Sequence, residues 1–442
     1  MNFADGFVLA LTIIFLAYFA YATPIIMVGV WRYKKHGFAA EKAGEDWDPP
    51  NVSILVPVKN EEKVVGRLLD ALTKLDYPRE NLEVIVIEDG SKDGTLEICN
   101  SFARNHSWIK VFHRDASIGK GDALNFGFNK SIGEVIATFD ADDIPEPLAI
   151  TKALRYFNDP KVGAVHGYHR TLNLQESIVA RLAAYETFLY RLANDGKYAL
   201  KLFVAFSGSN TFFRRTALER VGLWDPNSIV EDAELAVRFA RAGIPTKLAP
   251  VESWQEMPAK VKTLLKQRIR WSGGNIQTGL KHWDAWRSMS PAKAFDMEML
   301  MMSPIMAILA FVGWAMLALG VAHVGIPIAE LIPLLVVMGA LNIFYFGTLL
   351  TVVVAQAKTG IVSYLTLILA TYPYATLLSI ANFAGLISVL VLGRKLWLKT
   401  EKTGYIDSAT LLASITQNKL MSASGESLAG PEKISILFDG SQ

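Results

Sequence analysis

The sequence contains one cysteine in 442 residues. Cys99 therefore has no partner for an intrachain disulfide, and a cysteine-based metal cluster is excluded. This composition suits a soluble part that faces a reducing cytosol. The formal net charge is only +2, and no basic stripe runs along the chain, so nucleic acid is excluded as a partner.

Charge is missing from two long parts of the chain. Residues 7–31 carry no formal charge, and residues 299–393 carry only Glu330 and Lys358. The stretch Phe7–Trp31 is long enough to cross a bilayer core of about 30 Å, so we predict an N-terminal transmembrane helix within residues 1–36. No basic segment precedes it, which argues against a signal peptide. The positive charges that follow Trp31 place this end in the cytoplasm.

Two nucleotide-binding fingerprints are also absent. Neither Gly-x-Gly-x-x-Gly nor Gly-x-x-x-x-Gly-Lys-Ser/Thr follows the first apolar run of the soluble part, so phosphates must be held in another way. After a polar linker over residues 37–51, apolar runs alternate with stretches of helical spacing. We predict strands at 52–58, 83–87, 109–113 and 134–139, and helices at 61–75, 95–105 and 122–129. This order predicts an α/β fold with a mostly parallel sheet.

Polar residues follow three of the predicted strands. They are Asn60-Glu61-Glu62, Glu88-Asp89-Gly90-Ser91 and Asp140-Ala141-Asp142-Asp143. Ligands of open α/β sheets bind at the carboxyl ends of the strands. Acids at the first two ends could hold a nucleoside, and Asp140 and Asp142 could hold Mg²⁺ or Mn²⁺ against a diphosphate. The alternative for the third end is an ordinary Asp-rich turn. Lys120 either contacts phosphate or is an exposed loop lysine.

Five motifs occur in one order along the chain. They are Val56-Pro57-Val58-Lys59-Asn60-Glu61, Glu88-Asp89-Gly90-Ser91, Asp140-Ala141-Asp142, Val230-Glu231-Asp232 and Gln267-Arg268-Ile269-Arg270-Trp271. This order resembles that of membrane-bound family 2 glycosyltransferases, and most of all their processive branch, the hyaluronan, chitin, cellulose and poly-N-acetylglucosamine synthases. The resemblance covers about residues 50–405. Glu88 stands where Asp is usual, and Val230 stands where many members have Thr.

The resemblance implies a Rossmann-like GT-A fold at residues 52–255, a nucleotide-diphosphate sugar donor of the UDP type and inversion at the anomeric carbon. It makes Asp232 the general base with Glu231 beside it, although acids at a helix start also stabilise the helix dipole. Asp140 meets both donor and metal, and Asp142 meets the metal, Mg²⁺ or Mn²⁺. The other residues that the resemblance assigns to the donor are Pro57, Glu61, Asp89, Lys120, Gln267 and Arg270. Those assigned to the acceptor are Trp271, Phe206, Ser207, Gly208 and Ser209.

Helical segments next to the membrane complete the prediction. Val261–Trp271 reads as a basic amphipathic helix within interfacial residues 256–298, and Leu174–Leu192 as a second interfacial helix or a plain core helix. Residues 299–396 are predicted to hold the spans Met299–Val321 and Leu331–Ala357. They also hold Ile361–Gly393, which is expected to bend at Pro373 into two short helices.

The C-terminal segment over residues 397–442 carries a further resemblance. Trp397-Leu398-Lys399-Thr400-Glu401-Lys402 is similar to the gating loop of hyaluronan-type synthases, with Trp397 as the gating residue. The alternative is an interfacial tryptophan with lysines that reach to the headgroups.

The predicted function is elongation of a β-linked polysaccharide by a multi-pass protein of the cell membrane, in contact with lipids, with its catalytic domain in the cytoplasm. Transfer to a membrane lipid is the alternative, because ceramide glucosyltransferases have similar motifs. A nucleotide-regulated transporter is disfavoured, because few acids lie within the predicted spans.

Overall fold

The computed structural model describes residues 3–36, 49–116, 118–322, 327–356, 361–391 and 400–407. Within these residues, a sheet of eight strands forms the centre of the soluble part. The strands are β1 (Val52–Val58), β2 (Leu82–Glu88), β3 (Ile109–His113), β4 (Val135–Thr138), β5 (Ile144–Pro145), β6 (Ala164–Thr171), β7 (Thr211–Arg214) and β8 (Thr246–Gln255).

Helices surround the sheet and continue into the apolar parts of the chain. They are α1 (Phe3–His36), α2 (Val65–Thr73), α3 (Thr95–Asn105), α4 (Lys120–Lys130), α5 (Ala149–Leu154), α6 (Ile178–Ala199), α7 (Arg215–Val221), α8 (Glu231–Arg241), α9 (Val261–Lys281), α10 (Pro291–Met301), α11 (Ser303–Val321), α12 (Ile328–Gln356) and α13 (Ile361–Leu390). The four predicted strands and the helices between them are confirmed, with ends shifted by a few residues.

The sheet has the strand order β3-β2-β1-β4-β7-β6-β8-β5. Strands β3, β2, β1 and β4 run parallel, whereas β7 is antiparallel to both of its neighbours. Val58 pairs with Glu88, and Leu55 pairs with Thr138. The carboxyl ends of β1, β2 and β4 therefore meet at one edge of the sheet, as predicted.

Both faces of the parallel strands are covered. Ile54 and Val56 of β1 pack into one core with α2, while Leu55 packs with Ile87 of β2 into a second core with α4 and α8. Strands buried on two sides need continuous apolar runs, which is why they were visible in the sequence.

Three helices of the described part are apolar and long enough to cross a membrane: Gly6–Tyr33, Ser303–Val321 and Ile368–Leu390. Helix α12 occupies the further predicted span. Helices α1, α11 and α12 share a cluster of buried side chains.

The predicted division into two short helices at Pro373 is wrong, because α13 is one helix that continues through this proline. A proline removes one backbone donor, and neighbouring helices can stabilise the segment around it. Here Tyr374 donates to Glu186 of α6 at 2.5 Å, and Ser272 of α9 donates to the Asn382 carbonyl at 3.2 Å. Trp397 lies outside the described residues.

Candidate active site

A cavity of about 410 Å³ lies where β1, β2 and β4 end. Fourteen of the residues that the sequence predicted line it together: Pro57, Glu61, Asp89, Lys120, Asp140, Asp142, Phe206, Ser207, Gly208, Glu231, Asp232, Gln267, Arg270 and Trp271. The fold thus collects segments that are far apart in the chain around one space.

Lys120 is held between acids on one wall of the cavity. Its Nζ lies 2.6 Å from Asp140 Oδ1 and 3.3 Å from Glu231 Oε1, and it donates to the Gly208 carbonyl at 3.0 Å. Burial would lower the pKa of Lys120, but the nearby acids outweigh it and raise this pKa above its ordinary value. Lys120 is therefore a fixed cation and not an exposed loop lysine.

Asp142 is buried and paired with a lysine from the far end of the chain. Its Oδ2 accepts from Lys402 Nζ at 2.6 Å and from the Glu256 backbone N–H at 3.1 Å. Burial would raise the pKa of Asp142, but the Lys402 ammonium outweighs it and keeps this pKa below its ordinary value. The sequence did not single out Lys402, although it belongs to the segment that resembles a gating loop.

Asp143 fixes the loop that presents the other two acids. Its carboxylate accepts from the Asp140 backbone N–H at 2.8 Å, from Ser253 Oγ at 3.2 Å and from the Ser209 hydroxyl. Ser209 is fully buried by this contact and does not line the cavity. This corrects the position predicted for Ser209, because its side chain supports the acidic loop and does not face an acceptor.

The carboxylates of Asp140 and Asp142 suit a divalent cation whose remaining coordination positions are filled by a bound ligand. Among the described residues, no three His, Cys, Asp or Glu side chains converge into a metal site of their own. Mg²⁺ is usually held by one or two carboxylates together with substrate phosphates, and not by a cage made of protein alone. The donor set is therefore suited to a cation that arrives with a diphosphate.

Asp232 lies in the first turn of α8 beside Glu231. Burial, followed by the nearby Glu231 carboxylate, raises the pKa of Asp232 to about 6. A carboxylate with such a pKa is ionised at neutral pH and is a good proton acceptor. The predicted role as a base and the predicted stabilisation of the helix dipole are compatible, because the first turn of a helix also favours negative charge.

Gly208 lies against Asp232 in the wall of the cavity. Its φ is 76°, and a Cβ here would lie 2.8 Å from Asp232 Oδ2. A side chain at this position would be strained and would fill the space in front of Asp232.

Helix α9 presents the last predicted motif. The Arg268 guanidinium donates to Gln267 Oε1 at 2.6 Å and to Glu186 at 2.8 Å, and lies 4.1 Å from the centre of the Trp271 ring. These contacts fix the indole. Arg270 lines the cavity, and its guanidinium is suited to donate to an anion there. Its Nε is buried without a hydrogen-bond partner in the described part of the chain.

His169 is a further lining residue that the sequence did not indicate, because a single His in a strand has no distinctive pattern. Its side chain is only 6% exposed, and burial lowers its pKa to about 4. The imidazole is neutral at pH 7, and its Nε2 lies 3.0 Å from Ser207 Oγ.

The cavity also extends toward the apolar helices. Tyr190 and Asn194 of α6 line this part, together with Leu300 and Met301 of α10 and Ser303 at the start of α11. The cavity therefore reaches from the edge of the sheet to the first residues of the apolar helices.

Residues 49–274 match the family described as Glycosyltransferase like family 2. The chain is 36% identical over 238 residues to the probable glycosyltransferase YdaM of Bacillus subtilis, covering 52% of this chain and 57% of that protein. It is 32% identical over 260 residues to the beta-monoglucosyldiacylglycerol synthase of Trichormus variabilis, covering 58% of this chain and 55% of that protein. The chain thus spans little more than half the length of these curated relatives.

A third relative and a solved structure extend the likeness. The poly-beta-1,6-N-acetyl-D-glucosamine synthase of Staphylococcus epidermidis is 28% identical over 300 residues, covering 67% of this chain and 70% of that protein. The mannosyltransferase PcManGT from Pyrobaculum calidifontis, solved in complex with GDP-Man and Mn²⁺, has a TM-score of 0.58 and 24% identity. It covers 87% of this chain and 100% of its own, so the two chains share their fold.

Proposed function

The chain belongs to glycosyltransferase family 2, and on that premise we propose that it transfers a sugar from a nucleotide-diphosphate donor, a UDP-sugar, to a growing β-linked polysaccharide. The reaction is a single displacement with inversion. The observation that supports this most is the meeting of Asp232, Asp140 and Trp271 around one cavity. Asp232 supplies the base, Asp140 supplies a carboxylate at the donor end, and Trp271 supplies an aromatic surface on which the acceptor sugar stacks.

Asp232 accepts the proton of the acceptor hydroxyl. That oxygen forms a bond to the anomeric carbon while the bond from this carbon to the diphosphate oxygen breaks. The proton passes to the Asp232 carboxylate, and the nucleoside diphosphate leaves with the electron pair. A pKa of about 6 lets Asp232 be ionised before the reaction and still take up a proton during it.

The donor occupies the edge of the sheet. Glu61 and Asp89 hold the nucleoside by its hydroxyls and base, and Arg270 with Gln267 holds the diphosphate, for which a guanidinium fork is well suited. Asp140 and Asp142 would hold Mg²⁺ or Mn²⁺, which neutralises charge on the leaving diphosphate. The mannosyltransferase of the same fold, solved with GDP-Man and Mn²⁺, supports this assignment.

The acceptor approaches from the apolar helices, and its terminal sugar stacks on Trp271. Residues 52–255 are the transferase domain in the cytoplasm, residues 256–298 lie at the membrane surface, and the remaining helices anchor the protein among lipids. The relative that makes poly-beta-1,6-N-acetyl-D-glucosamine supports a polymer as product.

A membrane lipid is the second candidate acceptor. Leu300 and Met301 give the inner end of the cavity an apolar wall next to α11, and one relative is a beta-monoglucosyldiacylglycerol synthase. An acyl chain could lie against such a wall.

The substitution Trp271→Ala separates the two acceptors. An aromatic contact is worth roughly 0.5–1.5 kcal/mol, or up to about tenfold in affinity at each addition. A polymerase compounds this loss over many additions, so product length should fall much more than the initial rate. Product size and initial rate are measured in the same reactions for the wild type and for Trp271→Ala. A single lipid-linked sugar from the wild type would contradict the polymer and favour the lipid.

A further inference from the structure

Residues 400–407 form a strap that lies against the donor end of the cavity. Its first anchor is the buried carboxylate of Glu256, which accepts from the Thr403 backbone N–H at 2.5 Å, from Thr403 Oγ1 at 2.7 Å and from the Gly404 N–H at 3.2 Å. Arg67 links the strap to its anchor, because it forms an ion pair with Glu256 at 3.1 Å and donates to the Gly404 carbonyl at 3.2 Å.

A second anchor holds the end of the strap. Asp407 is buried, its carboxylate accepts from the Gln175 N–H at 2.9 Å, and its own N–H donates to the Leu172 carbonyl at 3.1 Å. The strap is therefore docked at both ends, and Lys402 is placed by these anchors.

Lys402 reaches from the strap into the acidic loop. Its Nζ is 2.6 Å from Asp142 Oδ2 and 3.1 Å from the Glu256 carbonyl. The side chains of Lys402 and Asp142 are only 14% and 8% exposed. A buried carboxylate without a counterion is costly, and Lys402 provides that counterion.

Lys120 and Lys402 differ in what else holds them. If Asp140 binds another cation, Lys120 still has its ion pair with Glu231 and its hydrogen bond to the Gly208 carbonyl. Lys402 keeps the Glu256 carbonyl and the charges of Glu61 and Glu256 nearby, but a second cation at Asp142 would replace its close ion pair with that carboxylate. A divalent ion and an ammonium at one carboxylate also repel each other.

We propose that Lys402 and the divalent cation compete for Asp142, so that the metal enters only when the Lys402 ammonium leaves this carboxylate. The inference rests on the proposed function, in which Asp142 is a metal ligand. Lys402 is then a positioning residue that holds the Asp142 carboxylate in place until donor and metal arrive. The apparent metal affinity is reduced by the fraction of molecules in which Asp142 is free.

The test measures Mn²⁺ binding to the purified full chain in detergent by electron paramagnetic resonance of free Mn²⁺, without nucleotide and again with UDP. Lys402→Met should bind Mn²⁺ about tenfold more tightly than the wild type, as expected if Asp142 is free in about a tenth of wild-type molecules. Lys402→Arg keeps the charge and should bind Mn²⁺ as the wild type does. The matched control is Lys74→Met, which removes an exposed lysine paired with Asp70 at 2.6 Å and should leave Mn²⁺ affinity unchanged.

Two failures can be told apart. Unchanged or weaker Mn²⁺ binding by Lys402→Met, with binding still lost in Asp142→Asn, would overturn the competition and leave the metal site intact. Absence of Mn²⁺ binding in every protein, with and without UDP, would reject the metal site itself and with it the competition. Lys402→Ala also removes the ammonium and takes the place of Lys402→Met in this comparison if the methionine variant does not fold.

Discussion

At the residue scale, the chemistry depends on where individual carboxylates are buried. Asp140, Asp142 and Asp143 are consecutive or nearly so, yet the structure gives each a different partner: Lys120, Lys402 and the Ser209 hydroxyl. Spacing in the sequence predicted that the first two share a side. It could not predict their partners, because Lys402 is 260 positions from Asp142.

Asp232 leads to a prediction about pH. Burial raises its pKa to about 6, so the protonated form predominates below that pH and cannot accept a proton. The transfer rate at saturating donor should rise about tenfold per pH unit below pH 6 and level off above it. Initial rates across this range provide the measurement.

The matched variants for that profile are Asp232→Asn and Asp70→Asn. The first should lose about 10²-fold or more of the rate at all pH values while it still binds donor nucleotide. The second removes an exposed carboxylate and should retain the wild-type profile. A wild-type rate that does not change between about pH 5 and 7 would show that Asp232 is not the base.

At the element scale, helix α13 shows why local pattern was not sufficient. Pro373 and the uncharged run around it predicted two short helices. The structure has one helix through this proline. Helix α13 also packs closely on α9, where a Cβ at Gly385 would lie 2.7 Å from Ser272 Cβ and 2.8 Å from the Gly273 nitrogen. Such a close approach depends on small residues of both helices, and neither sequence segment shows it alone.

We predict that Gly385→Val forces α13 away from α9. Overpacking of this kind costs roughly 1–3 kcal/mol, and because α9 carries Gln267, Arg270 and Trp271, activity should fall together with the melting temperature. The control is Gly339→Val in α12, where a Cβ would meet nothing within 4 Å. Equal melting temperatures of the two variants in detergent would contradict the close packing.

At the scale of the whole molecule, the sheet and the cavity were largely predictable. Parallel strands buried on both faces give apolar runs that end in polar groups, and the edge where they meet follows from the strand direction. Contacts between remote segments were not predictable in this way. Examples are the Glu186 pair with Arg268 and the strap on Glu256, which depend on how helices pack after the sheet has formed.

The orientation of the molecule can be tested with its single cysteine. Cys99 is fully buried, and burial raises the pKa of its thiol to about 12, so it should not react with maleimides. Lys161→Cys adds one thiol at an exposed position of the transferase domain. A membrane-impermeant maleimide should label it only after cells are permeabilised, and the wild type should stay unlabelled. Labelling in intact cells would place this domain outside the cytoplasm.

The most direct test of the proposed activity is a product assay with the wild-type protein in nanodiscs. The protein is incubated with Mn²⁺ and each of a panel of nucleotide sugars, and released nucleoside diphosphate and product size are measured in the same reaction. We expect one UDP-sugar to give UDP release together with a β-linked product many sugars long, and Asp232→Asn to give neither. Absence of diphosphate release with every donor, or release with only a single sugar on a lipid, would contradict polymer synthesis at this site.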